Sequence, residues 1–418
     1  MDSALPAGRS LAPGVALSIL ALLPSVMVLH DGLMALPPEA ALWAMPIPVA
    51  AALLALAGTG FLAARGQTPR LDRSGRLLAL ATLALFLWAS LATLLRATDP
   101  AYGFLRLFEV ALAAAVALAL AGLVRTGGTA LGRQMALALV LGIAAALLPM
   151  TLARAASWPE GFGKLDLAGF THIRILGFSL TLGLAAATGL WAGETGRARA
   201  RLFAAMVAMA AAMFWSGGRG ALAALVLPLP VLALFLPTLR PGLLALLAAL
   251  VAGALAASLL PGVSAEFGLF GRLTDLGESA SADTLASGRL AIWRILMGAS
   301  AEAPLLGHGM AQVHWILAAA GEKVAHLHAH NFVVEAALAL GWPGTVAAIL
   351  ACAAAWIRWL LRARASGDPL HATGLALVSA FLAAALVDGP YFYWQGLLPL
   401  ALGFALLAPC REGQAPAP

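Results

Sequence analysis

The sequence predicts an all-α polytopic membrane protein, with about twelve transmembrane helices and a partly helical external loop between helices nine and ten. Three observations lead there. Of 418 residues, 62% are hydrophobic and only 11% are charged, whereas a soluble domain carries roughly 25% charged residues. Apolar runs of about 18 residues or more recur along the chain, the length that crosses a hydrocarbon core of roughly 30 Å. The remaining polar chemistry collects between residues 263 and 345, which hold four of the 25 basic residues and five of the 8 histidines. The net charge of +6 needs no nucleic acid to explain it. The arginines sit in short loops between apolar runs, not on a basic helix with interleaved aromatics.

The chain reads as a single integral membrane domain, residues 1–418. The first apolar run, 13–30, continues into the mature chain and reads as a retained helix rather than a cleaved signal. The second, 40–64, ends at a loop holding Arg65, Arg70, Arg73 and Arg76. Runs 77–96 and 103–124 follow, and Arg125 and Arg133 separate the latter from 134–153. A polar loop, 154–174, carries Trp158, Glu160, Lys164, Asp166, His172 and Arg174. Run 175–194 leads to Arg197, Arg199 and Arg201, then to 202–216, 220–238 and 242–262. The segment 263–330 is too long for a simple connector. Within it, residues 288–300 suit an amphipathic helix lying along the membrane surface, with Leu290, Trp293 and Met297 on one face and Ser287 as its cap. The last runs are 331–361, 372–388 and 395–410. The first of these is expected to bend or break at Gly341-Trp342-Pro343-Gly344, since proline lacks an N–H and clashes with the preceding turn. The tail after Gly413 reads as disordered. Cys352 and Cys410 form neither a disulfide framework nor a metal-binding spacing.

With the N-terminus inside, 15 of the Lys and Arg residues fall on the cytoplasmic side, nine fall outside and Arg106 lies within the fourth helix. The positive-inside rule therefore puts both termini in the cytoplasm and the 263–330 loop outside.

Several residues there invite chemistry. Arg219, in Ser216-Gly217-Gly218-Arg219-Gly220, sits on a tight outer turn; it reads as a snorkelling anchor or as a clamp for an anionic headgroup. Arg289, in the first turn of the loop helix, is the better phosphate ligand, because a helix N-terminus adds exposed N–H groups and a positive dipole. Arg294 lies about 140° further round the helix and reads as structural or headgroup-facing. His326, His328 and His330 alternate, a weak zinc signal with no cysteine or carboxylate pair to support it. His330 opens the tenth helix and suits a general base or a structural role. Asn331 suits a helix cap or an orienting partner. Glu335, one turn into the helix, should face a cavity or pair with a cation. Arg106 and Glu109 suit an i,i+3 pair. Asp388, beside Gly389-Pro390-Tyr391-Phe392-Tyr393-Trp394, reads as part of an interfacial anchor.

Taken together, these pieces resemble the O-antigen ligase family, which shares a domain with O-antigen polymerases. The matching features are Ser216-Gly217-Gly218-Arg219-Gly220, Ser287-Gly288-Arg289 with Ile292-Trp293, Pro304-Leu305-Leu306-Gly307-His308-Gly309, and His330-Asn331 with Glu335 and Gly341-Trp342-Pro343-Gly344. They cover about residues 200–360. His308 departs from the usual small or apolar residue and receives no role, and none is assigned to His326 or His328. The resemblance implies a metal-independent, inverting glycosyltransferase of the bacterial inner membrane, working at the periplasmic face without a cofactor. Its donor would be a glycan on undecaprenyl pyrophosphate and its acceptor a hydroxyl of lipid A–core. Arg219 and Arg289 would hold the pyrophosphate, and His330 would activate the acceptor. Asn331, Glu335 and Arg294 would support them. Competing readings are an O-antigen polymerase or protein O-oligosaccharyltransferase using the same donor, and a transporter or flippase. Most polar residues gather at the outer surface, which favours an enzyme; Glu335 and the break at Pro343 keep the transporter reading open.

Overall fold

In a computed structural model of the protein, the described residues are 7–33, 53–58, 73–156, 173–259, 289–322 and 326–408. All the regular structure among them is helical. The principal helices are α1 (Ala7–Leu33), α2 (Arg73–Arg96), α3 (Pro100–Ala156), α4 (Ile173–Leu190), α5 (Gly196–Ser216), α6 (Arg219–Val226), α7 (Pro228–Phe235) and α8 (Arg240–Leu259). They are followed by α9 (Arg289–Glu302), α10 (Val313–Ala319), α11 (Phe332–Ser366), α12 (Pro369–Val387) and α13 (Trp394–Leu406). Among the described residues, seven helices are long and apolar enough to cross a membrane, with three shorter apolar helices beside them.

Most predicted runs have a counterpart. The fourth and fifth runs are the two halves of α3, which is broken at Gly128. The eighth is divided into α6 and α7 where Pro228 supplies no N–H. Of the second run only 53–58, which is helical, falls in the described residues. Most of the 154–174 loop, Ser287, Cys410 and the tail lie outside them.

The helices α4 and α12 form the centre. In α4, 89% of the apolar span is buried, against 17% in α2, whose row of exposed leucines faces outward. Gly189, near the end of α4, lies against Thr373, near the start of α12. The two helices are therefore antiparallel, and the start of α4 lies beside the end of α12. This pairing sets Arg174 near Asp388.

The tenth run breaks where its sequence predicts. At Gly341, φ is 68° and ψ is 178°, a region essentially confined to glycine. Pro343 has no N–H for the Ala339 carbonyl. The carbonyls freed by the break all find donors. The Leu338 oxygen accepts from His308 N–H at 2.6 Å, the Ala339 oxygen from Gly309 N–H at 3.2 Å and the Leu340 oxygen from Trp88 Nε1–H at 3.0 Å. In return, Trp342 N–H donates to the Pro304 oxygen at 2.8 Å. The loop 304–309 thus fills the gap in the helix, as buried backbone groups require. His308 has a structural place: its Nε2 bonds the Ala299 oxygen at 2.8 Å, tying the loop to α9. A Cβ on Gly341 would overlap the Leu305 backbone. Gly341→Ala is therefore expected to destabilise the protein by about 2–4 kcal/mol. In α9, Gly298 has nothing within 4 Å of its would-be Cβ, so Gly298→Ala should be neutral or slightly stabilising. Thermal unfolding of both variants in the same detergent checks the contrast.

α9 fits the helix expected over 288–300, but its buried face is different. Ile292, Leu296 and Ser300 are buried, and Ile292 and Leu296 pack with Val313, Leu317, Val334 and Leu338. Trp293 and Met297 are only partly buried at the edge of that cluster. α9 is docked on α10 and α11, so the stripe Leu290, Trp293, Met297 expected to rest on the membrane surface is not its principal apolar face.

Candidate functional site

The polar groups converge at one end of the bundle, where α4, α9 and α11 begin and α12 ends. Asn331 caps α11: its Oδ1 accepts from Val333 N–H at 2.8 Å and Val334 N–H at 3.2 Å. Its side-chain amide also donates to the Leu386 oxygen at 3.0 Å, which ties the start of α11 to the end of α12. Asn331 is thus a cap and a brace.

His330, just before this cap, adopts φ 55°, a left-handed conformation that histidine enters more readily than bulky residues. Its own N–H donates to His328 Nδ1 at 3.2 Å. Strained backbone of this kind clusters at functional sites. The turn aims the imidazole at Asp388, whose Oδ1 lies 3.0 Å from His330 Nδ1. The other carboxylate oxygen, Oδ2, is 3.7 Å from Arg289 Nη2. Arg289 also donates through Nη1 to the Val387 carbonyl. One carboxylate therefore joins the imidazole to the guanidinium.

Arg174, at the start of α4, approaches the imidazole from a third side. Its Nη1 is 3.1 Å from His330 Nε2 and 3.4 Å from Nδ1. Near-equal distances to both nitrogens place the cation off the in-plane axis of the Nε2 lone pair. With Nδ1–H donated to Asp388, Nε2 is the ring nitrogen left to accept a proton, and Arg174 Nη1 is the donor nearest it.

The electrostatics follow from this packing. Burial, reinforced by the charges of Arg174 and Arg289, outweighs the pull of Asp388 and lowers the His330 pKa to about 4. The imidazole is therefore neutral at pH 7. Burial pushes the Asp388 carboxyl up, but the hydrogen bond from His330 and the Arg289 guanidinium hold it below the usual carboxylate range. Burial lowers the Arg289 value against the attraction of Asp388; a guanidinium remains charged even so. The Arg289 Nε is buried with no hydrogen-bond acceptor among the described residues.

The remaining expected residues fall into two groups. Arg219 begins α6 on the predicted tight turn, where Gly217 takes φ 66° to close α5. Its neighbour Gly220 lies against Val387, next to the carbonyl that Arg289 holds. Arg219 thus belongs to the same end of the bundle, and among the described residues no hydrogen bond or ion pair engages its guanidinium. Arg294 is exposed on α9, about 140° round the helix from Arg289. Glu335 is 8% exposed and its Oε2 accepts from Ala329 N–H at 2.7 Å. It fixes the backbone immediately before His330 rather than lining an open cavity. Arg106 does pair with Glu109 and also donates to the Phe392 carbonyl, beneath the aromatic turn 391–393.

His328, His330 and Asp388 bring ligand atoms within 4.8 Å of one another. The donors are nonetheless committed to one another, and the adjacent guanidiniums of Arg174 and Arg289 disfavour a dication. His326 is not one of the group; its ring meets the His330 ring edge-on at 5.9 Å. His328 packs at 4.1 Å from the His330 ring and 5.2 Å from Phe392, and burial lowers its pKa well below the usual value. It forms a wall beside the His330 imidazole.

Besides His328, Arg174 and Asp388 carried no chemical role in the sequence reading. Asp388 is the hinge of the site rather than only an interfacial anchor, and Arg174 is its third cation. A family model described as O-antigen ligase matches residues 204–349. That stretch contains Arg219, Arg289, Arg294, His330, Asn331 and Glu335, whereas Arg174 and Asp388 lie outside it. None of the curated proteins compared with the chain matches it.

Proposed function

We propose that this protein is a glycosyltransferase that moves a glycan from undecaprenyl pyrophosphate to a hydroxyl of lipid A–core at the periplasmic face of the inner membrane. One observation carries the reading: a single carboxylate, Asp388, bridges a neutral imidazole and a buried guanidinium. That arrangement supplies a base and a phosphate clamp side by side.

The reaction follows from the groups present. The acceptor O–H gives its proton to His330 Nε2 as its oxygen attacks the anomeric carbon. The bond from that carbon to the pyrophosphate oxygen breaks with its electron pair, so undecaprenyl pyrophosphate leaves with one more negative charge. Arg289, Arg219 and Arg174 face that developing charge as preformed cations, which lowers the barrier without reorganisation. Asp388 holds the Nδ1–H tautomer and stabilises the imidazolium that forms. Attack opposite the leaving group gives inversion. Three guanidiniums supply the charge that a divalent ion supplies elsewhere, so the reaction is read as metal-independent. The arginine-rich opposite end of the bundle, with Arg197, Arg199, Arg201, Arg358, Arg362 and Arg364, supports placing the site outside the cytoplasm and both termini within it.

The features that favoured transport have other duties. Glu335 is spent on Ala329 N–H, and the carbonyls at the α11 break are bonded within the protein. Deletion of the gene tests the assignment. Unsubstituted lipid A–core together with long lipid-linked chains is expected. Accumulation of single lipid-linked repeats would instead make the protein a polymerase. Normally substituted lipid A–core with no accumulating lipid-linked glycan would overturn both.

A further inference from the structure

Beside the imidazole cluster lies an aromatic surface that the chemistry above does not use. Trp315, on α10, is half-buried. Its ring is tilted against Tyr102 at 5.2 Å, and His314 meets it edge-on at 5.5 Å. It packs in one cluster with Tyr102, Ala311, Leu327 and Phe392. Leu327 precedes His328 in the chain, and Phe392 touches the His328 ring, so the cluster continues directly into the wall of the reacting histidine.

Asp99 is fixed at the edge of this surface. Its backbone N–H donates to Gln312 Oε1 at 3.0 Å, and its carbonyl accepts from Gln312 Nε2 at 3.1 Å. One carboxylate oxygen, Oδ1, accepts from Tyr102 N–H at 3.0 Å. The Asp99 residue is half-buried. A half-buried indole thus meets the His314 imidazole and rests on the same Tyr102 whose N–H is bonded to the Asp99 carboxylate.

We propose that Trp315 is a sugar-binding platform, with Asp99 and His314 at its rim, for a pyranose ring of the glycan or of the acceptor. A pyranose presents an apolar C–H face and an equatorial edge of hydroxyls. The indole meets the face, and the carboxylate and imidazole take hydrogen bonds from the edge. The step from His330 through His328 and Phe392 to Trp315 is on the order of 10–15 Å by ring-to-ring spacings. That places the bound ring a sugar or two away from the reacting bond, where it fixes register and selects the glycan.

The inference rests on the glycosyl transfer proposed above, and the experiment separates the two. The full-length protein in nanodiscs is assayed with lipid-linked glycan donor and lipid A–core acceptor, varying each in turn. Trp315→Ala is expected to raise KM about 5–10-fold for one substrate while kcat changes less than about 2-fold. A rise in donor KM assigns the platform to the glycan, and a rise in acceptor KM assigns it to lipid A–core. Trp315→Phe keeps the packing on Tyr102 and should recover most of the loss. Asp99→Asn, which can still accept from Tyr102 N–H, should raise KM for the same substrate as Trp315→Ala. If the wild type transfers glycan and Trp315→Phe and Trp315→Ala leave both KM values unchanged, the platform is wrong and the transferase reading stands. If the wild type transfers nothing to any hydroxyl acceptor, the transferase reading falls and the platform falls with it.

Discussion

His330→Ala is expected to lower glycan transfer by about 10²- to 10⁴-fold, the usual contribution of a positioned general base. Membrane insertion should persist, because the Asn331 cap and the Glu335 bond to Ala329 do not pass through the imidazole. His330→Asn provides the sharper control. Asparagine tolerates the left-handed backbone at 330 but offers no basic nitrogen, so it should be as inactive as the alanine variant. The pH dependence adds an independent check. The base works only when neutral, and the His330 pKa stands at about 4 rather than the ordinary 6.5. As pH falls through 6.5, kcat/KM should therefore hold; it should decline only as pH approaches about 4. A limb near 6.5 would mean that the essential base is another group.

Arg289→Ala is expected to cost about 10²- to 10³-fold in transfer. Two effects combine. The leaving pyrophosphate loses a cation whose buried Nε has no protein acceptor among the described residues. Asp388 also loses its guanidinium partner and holds the imidazole less well. Because charge on the leaving group develops during reaction, kcat should fall more than KM rises. Arg289→Lys restores charge but not the two-pronged donor, so it should recover only part of the rate. Equal activity in wild type and Arg289→Ala, measured with saturating donor, would remove the clamp from the mechanism.

Much of this was legible in the chain because it is local. The break at Gly341 follows from one proline and its neighbouring glycines, and the α9 helix from one short amphipathic stretch. Arg219, Arg289 and His330 stand out because a largely apolar chain leaves few reasons for ionisable groups. What escaped is long-range. Arg174 reaches His330 across 156 positions, and only the antiparallel packing of α4 on α12 creates that contact. Asp388 is hidden in an aromatic stretch whose commonest meaning is interfacial anchoring. The buried face of α9 differs from the expected one because its own periodicity admits two stripes, and only the docking partners α10 and α11 select Ile292 and Leu296. Glu335 has an intended partner that is a backbone amide, which no residue pattern announces.

The interruption of α11 also bears on how catalysis meets a changing bilayer. Residues 332–340 are moored at both ends, by the Asn331 brace on α12 and by the 304–309 plug with Trp88. The portion past Gly344 follows across the break at Gly341 and has its own tie to α12, where Trp356 Nε1–H donates to Ser379 Oγ at 2.8 Å. A thicker or thinner lipid matrix changes the tilt of a spanning helix. Here the break at Gly341 keeps a lean of the lower half from running straight up α11, while the Asn331 brace and the 304–309 plug hold the upper half beneath the imidazole.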